Sequence, residues 1–200
     1  MRFVCLLACL VLLVGCTSTT PSPPSSSPPS TASPTPSPTP SPSLTPSPSP
    51  TAVESFPPAP PSESGEVADI RAGWEAYEST RDMYYRDPDL KDWQPLANVT
   101  TGLETGRAMD GIMAAREMNL MQRGEAIFRN VEIGKPKTDA EGIRSAVVSY
   151  CHDPSQLDVV DVSTGDPVQR TKTLAARVTM QLFPDESWRA ARYTSEFEPC

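Results

Sequence analysis

Three kinds of side chain in this 200-residue chain could do chemistry: five cysteines, one histidine and a set of tyrosines. Cys16 follows Gly15 directly, at the end of an apolar run from Phe3 to Val14 that is itself preceded by Met1 and Arg2. His152 and Asp153 form the one histidine–carboxylate neighbourhood, and these are residue types that move protons. Neighbours on a strand point to opposite faces, however, so these two would not share a site. The plainer reading is an exposed strand end beside Cys151. Trp74, Tyr77, Tyr84 and Tyr150 could line a pocket, with phenols donating to a ligand carbonyl. Amphipathic aromatics that hold a core are the commoner case. Two cysteines and one histidine do not complete a tetrahedral zinc site. No Ser-His-Asp elbow, phosphate loop or carboxylate-rich metal loop is present. The residues therefore assign no catalytic group, no metal ligand and no cofactor.

Periodicity sets the elements that would position these side chains. Val67, Ile70, Trp74, Tyr77 and Tyr84 recur at helical spacing and predict one apolar stripe, with Ser64 as cap and Glu66 in the first turn. Asp87-Pro88 reads as the end of that helix and the cap of a short second one carrying Leu90 and Trp93, disturbed by Pro95. A third helix is predicted from a capping box, Thr101 with Glu104, followed by Met109, Ile112, Met113 and Leu120 on one face and Gly124 as its C-terminal cap. After Gly124 the period becomes two. Ile127, Val131 and Ile133 predict a strand, although Arg129 interrupts its apolar face. Ala146, Val148 and Tyr150 predict a second strand, and Val160 with Val162 a third. The clearest strand runs from Leu174 to Leu182, and a last one from Trp188 to Phe197. Gly165-Asp166-Pro167 and Pro184-Asp185 supply turns. Helices followed by hairpin-linked strands make the fold class α+β: three N-terminal helices, then a curved antiparallel sheet.

Upstream of this, Thr17 to Ser64 holds 17 Pro and 23 Ser or Thr, leaving only eight other residues to build anything apolar. Such a segment cannot offset its ordering entropy and is expected to stay unfolded. Dense proline keeps it extended at about 3.1 Å per residue, a reach on the order of 100 Å. Residues 65–200 suit one domain with one core. They carry 16 Lys plus Arg against 23 Asp plus Glu, which argues against nucleic acid or an anionic surface as partner.

Leu13-Val14-Gly15-Cys16 resembles the bacterial lipobox: an aliphatic residue, then a small one before an invariant cysteine. Twelve apolar residues match a signal-peptide core and fall short of the roughly 20 that span a bilayer. The resemblance implies a lipoprotein signal peptide at 1–15, a lipidated Cys16, a disordered linker over 16–64 and a tethered domain over 65–200. The bland alternative is an ordinary secretory peptide with Cys16 incidental.

The element order of that domain resembles the nuclear transport factor 2-like (SnoaL-like) cone fold. Trp74 and Tyr77 on the first helix, the Tyr150-Cys151-His152-Asp153 segment, the Asp161 to Val168 hairpin with Gly165, and Trp188 carry the likeness. Small actinobacterial extracytoplasmic proteins of this type often pair a cysteine after the second strand with one at the C-terminus, which implies a Cys151–Cys200 disulfide. The lipobox reading agrees. Cys5 and Cys9 leave with the signal peptide and Cys16 carries lipid, so an even pair remains in an oxidising compartment. The function implied is a membrane-anchored extracytoplasmic lipoprotein whose non-catalytic cone domain meets an envelope protein or a second copy. The alternatives are a small molecule in the cone pocket, or an isomerase- or dehydratase-like enzyme.

Overall fold

A computed structural model describes residues 54–63, 65–169, 172–198 and 200. The predicted signal peptide, Cys16, the linker up to residue 53 and the Ser64 cap lie outside the described residues. Three helices come first: α1 (Glu66–Arg86), α2 (Gln94–Val99) and α3 (Leu103–Glu117). The strands follow: β1 (Leu120–Ile133), β2 (Lys137–Thr138), β3 (Arg144–Asp161), β4 (Pro167–Gln169), β5 (Leu174–Leu182) and β6 (Trp188–Glu196). The antiparallel sheet runs β1-β3-β5-β6, with β2 and β4 pairing on β3. This is the expected α+β architecture. Among the described residues no helix is long and apolar enough to cross a membrane.

The α1 stripe is buried as its spacing requires. Ile70, Trp74 and Tyr77 pack against Val148, Tyr150, Val178, Met180 and Trp188 in one core. A Cβ on Gly73 would sit 2.5 Å from the Trp188 carbonyl oxygen, so glycine here sets how closely α1 approaches the start of β6. Tyr84 leaves that core for a second one between the helices, with Leu96, Ala108 and Ile112.

Several predicted boundaries move, each for a physical reason. Residues 87–93 are not helical, and Pro95 opens α2 instead of disturbing it, because proline's missing N–H costs nothing in a first turn. No capping box forms at α3. Gly102 is its N-cap, while the Glu104 carboxylate turns inward to tertiary partners. On α3 the buried face is Glu104, Ala108 and Ile112, and Met113 is exposed. Gly124 caps no helix. It lies inside β1 at φ 83°, where a Cβ would meet the Gln156 carbonyl oxygen at 2.0 Å. Only glycine lets β1 and β3 approach there.

The two predicted strands at 146–150 and 160–162 are one bent strand, β3. Pro154 lies between register pairs Glu125–Gln156 and Ile127–Asp153, where β3 has one extra residue. Such a bulge is where a strand accommodates a proline. A second bulge, at Asn130 (φ 52°), explains the broken pattern in β1. Ala126 and Phe128 face the core before it, and Val131 and Ile133 after it.

The domain boundary also shifts. Within residues 54–63, predicted as linker, Ser55, Phe56 and Glu63 contact the domain. Phe56 contacts the main core, and Arg71 forms a buried ion pair with Glu63, Nε to Oε1 at 2.6 Å. Cys151 sits mid-strand in β3 and is bonded to Cys200, with Cα atoms 5.6 Å apart. Cys151 pairs with Ala175 of β5, which pairs with Glu196 of β6, so the bridge ties the chain after β6 to a strand two places away in the sheet. Closing a loop of 49 residues this way stabilises by about 4 kcal/mol on the chain-entropy estimate. Reduction is therefore expected to lower the urea midpoint of residues 49–200 by a comparable loss, and alkylation without reductant to modify neither thiol. Two alkylatable thiols in the unreduced protein overturn the bridge.

Candidate functional site

The cone lies between α1 and the sheet, and α1 lines it with a polar sequel to its apolar stripe. One turn after Trp74 come Tyr77 and Glu78, then Arg81, Asp82 and Tyr85, all on the face toward the strands at i, i+3 and i+4 spacing. From the sheet come Phe128 of β1, Tyr150 and His152 of β3, and Tyr193 of β6.

Two buried carboxylates organise these groups. Glu78, 5% exposed, accepts from the Tyr150 hydroxyl and from Arg81 Nη1, the latter at 3.1 Å. Glu104, 3% exposed, accepts from the Tyr77 hydroxyl at 2.6 Å and from the Tyr193 backbone N–H at 2.8 Å. The Arg81 guanidinium closes the circuit, 4.6 Å from the centre of the Tyr193 ring and 5.2 Å from that of Tyr77. Burial, with the neighbouring carboxylates, drives the Tyr77 and Tyr150 phenols well above their ordinary range, so both stay protonated donors. Burial opposes charge on Arg81, but Glu78 and the Tyr77, Tyr193 and Tyr85 phenols around it together outweigh that and hold the guanidinium charged.

The four predicted pocket residues therefore fill space. Trp74 and Tyr77 are 0% exposed, Tyr84 1% and Tyr150 5%. The Trp74 and Tyr150 rings meet at a tilt of 56°, with centres 5.0 Å apart. Tyr84 does not join them. Its ring stacks on Trp93 and its hydroxyl donates to the Asp92 carbonyl, in the interhelical core.

What remains open is the mouth. A cavity of about 220 Å³ is lined by Arg81, Asp82, Tyr85, Phe128, His152 and Tyr193, among others. Sequence reasoning missed Glu78, Arg81 and Asp82, although their spacing from Trp74 carried the signal. It placed His152 and Asp153 on opposite faces, as they are. His152 lies against Phe128, ring centres 5.6 Å apart, while Asp153 pairs with Arg129 Nη2 at 2.5 Å. Asp153 is not an exposed strand end. It is 7% exposed and also accepts from the Ser155 N–H at 2.9 Å, fixing the chain after Pro154. His152 Nδ1 and Asp82 Oδ1 are buried without a hydrogen-bond partner among the described residues. Burial lowers the His152 pKa, and burial raises that of Asp82 against the pull of Arg86. The mouth thus offers a neutral imidazole and a carboxylate with one free oxygen. Among the described residues no group of three or more His, Cys, Asp or Glu is placed to hold a metal ion.

No protein-family model matches the chain. No curated protein matches it in sequence. Among solved structures it is similar to the intermembrane space region of the chloroplast protein ARC6, at 10% identity over 68% of this chain and 100% of that one, TM-score 0.48. It is similar to a ketosteroid isomerase-like protein from Erwinia carotovora, at 14% identity over 67% and 98% of the two chains, TM-score 0.42. A periplasmic fragment of TraM matches at 10% identity over 64% and 98%, TM-score 0.41. At these identities and scores the likenesses say nothing of what this chain binds.

The single histidine makes the mouth testable by titration. With its pKa lowered below the ordinary value of 6.5, folded His152 binds fewer protons than the unfolded chain does. Its contribution to stability is full above about pH 6.5 and is lost as the pH falls below that value. NMR of the imidazole should show a midpoint below 6.5, and His152→Gln should flatten that part of the stability curve. A midpoint at or above 6.5 contradicts the burial argument.

Proposed function

We propose that the chain is a lipid-anchored extracytoplasmic protein that presents a non-catalytic, nuclear transport factor 2-like interaction domain on a Pro/Ser/Thr-rich stalk. The observation that carries this reading is the filled cone. Trp74, Tyr77 and Tyr150 occupy its interior, and both phenols are committed to Glu104 and Glu78. A substrate could reach these donors only by displacing bonds whose loss leaves a buried carboxylate short of a partner. The activity then resides on the outside of the domain, toward an envelope protein or a second copy. Its 16 Lys plus Arg against 23 Asp plus Glu disfavour nucleic acid and anionic lipid as that partner.

Anchoring rests on Leu13-Val14-Gly15-Cys16 and on the stalk composition. Two acyl chains on one cysteine suffice for stable attachment, because each buried methylene adds about 0.8 kcal/mol and a single chain binds only marginally. Cys16→Ser is expected to abolish incorporation of labelled palmitate and to release the protein from the membrane fraction. Unchanged labelling of that variant sinks the anchor.

A second reading, a small polar ligand at the mouth, is favoured by the unpartnered His152 Nδ1 and Asp82 Oδ1 beside the 220 Å³ cavity. Native mass spectrometry of residues 49–200 separates the two. The interaction reading expects the mass of the protein alone. A retained small molecule that is lost on His152→Ala establishes the second reading instead.

A further inference from the structure

The described chain begins with a segment bound as a ligand would be. The Phe128 N–H, on the free edge of β1, donates to the Ser55 carbonyl at 2.8 Å. Beside that bond the Ser55 hydroxyl donates to Glu125 Oε2 at 3.0 Å. The Phe56 ring enters a slot between α1 and β1. It stacks on Phe128 with centres 4.8 Å apart and planes 17° apart, and meets Trp74 edge-on at 5.4 Å. A main-chain bond to a sheet edge plus one anchored aromatic side chain is how extended peptides are recognised by edge addition. A cavity of about 230 Å³ continues the slot past Ser79 and Asp82, so the ring does not fill it.

The connection behind Phe56 favours release of this strap as a unit. Residues 58–62 are exposed, and Pro57, Pro58, Pro60 and Pro61 hold the run extended, so little backbone freedom is gained or lost when it swings. The next fixed point is the buried Glu63–Arg71 pair, beyond the hinge. Among the described residues the strap is therefore held by one aromatic ring and two hydrogen bonds, while its own anchorage lies several residues further on.

We propose that this slot is an exchangeable docking site for the Ser55–Phe56 segment, filled in cis by a chain's own strap and in trans by the strap of a second copy. The occupant is argued from the structure itself: the segment seated there belongs to this chain, so a second copy carries matching chemistry. The bonded edge is β1, which among the described residues no strand of the sheet covers at Phe128. Exchange replaces each contact by its equal, so it needs only the hinge to open and the copies to be close. The proposal rests on the reading of the domain as an interaction module and does not require the lipid.

The test uses the full chain in solution by NMR. A 15N-labelled Phe56→Ala chain, whose slot lacks its ring, is titrated with unlabelled wild-type chain, and separately with unlabelled Phe56→Ala chain. The wild type is expected to move the Phe128 amide and the Trp74 indole signal toward their wild-type positions. The Phe56→Ala titrant is expected to leave them in place. No movement up to about 1 mM, a concentration that detects even weak association, overturns the proposal. Equal movement with both titrants overturns it as well. Should Phe56→Ala fail to fold, Phe56→Leu keeps an apolar plug without the stacking ring, and its titration is read in the same way. Palmitate labelling at Cys16 is independent of either result, so failure of exchange and failure of anchoring are told apart.

Discussion

Everything in this domain depends on the burial of two carboxylates, Glu78 on α1 and Glu104 on α3. An ionised carboxylate is costly to bury, and it is tolerated only when donors meet its oxygens. Here the donors come from three elements, α1, β3 and β6. Glu78 joins α1 to β3 through Tyr150, while Glu104 joins α3 to α1 through Tyr77 and to β6 through the Tyr193 N–H. None of these bonds is local in sequence. Removing one donor leaves a buried charge short of a partner, an outcome worth about 3–5 kcal/mol where a buried pair is broken. The circuit therefore acts as a geometric lock more than as a source of net stability. It permits one placement of the helices on the sheet.

The lock also explains why the cone is closed. A phenol held as donor to a carboxylate is spent, and its ring remains as filler between α1 and the strands. The sheet is bent to suit. Bulges at Pro154 and Asn130, and the close passage at Gly124, curve β1 and β3 so that Phe128 and Tyr150 converge on Trp74. Flat strands of the same sequence would aim those rings apart.

Legibility in the sequence follows from the range of the interaction that fixes each element. The 174–182 strand alternates cleanly because one face is buried along its length, and the Ile70–Trp74–Tyr77 stripe repeats because α1 lies on one core. Both are local patterns with a single cause. Glu104 was misleading for the opposite reason. Thr101 and Glu104 have capping-box spacing, yet the carboxylate gains more from two tertiary donors than from a helix end. Pro154 reads as a strand breaker because its cost is removed only by a bulge that depends on the partner strand. Phe56 was hidden by averaging. It is the one aromatic residue between Thr17 and Ser64, and a composition dominated by Pro, Ser and Thr outweighed it. A lone ring in such a run is itself the signal, since nothing in an unfolded linker requires it.

On the proposed reading of the Pro-rich segment as a stalk, that ring changes what the stalk means physically. A Pro-rich linker that ended at residue 64 would be a passive spacer, and tension along it would reach α1 directly. With Ser55 and Phe56 docked, the described part of the chain meets the domain first at β1, and among the described residues the strap is the first contact to bear load. The Glu63–Arg71 pair bears it next, and only then α1. Opening the strap frees roughly ten residues, which in extended polyproline geometry adds about 30 Å of reach. Reach and slot occupancy are consequently linked. A chain whose strap is out extends further and has an empty aromatic slot, while a chain whose strap is in sits shorter with the slot filled. Linkage requires the converse as well, so any occupant that binds the slot in place of Phe56 lengthens the tether.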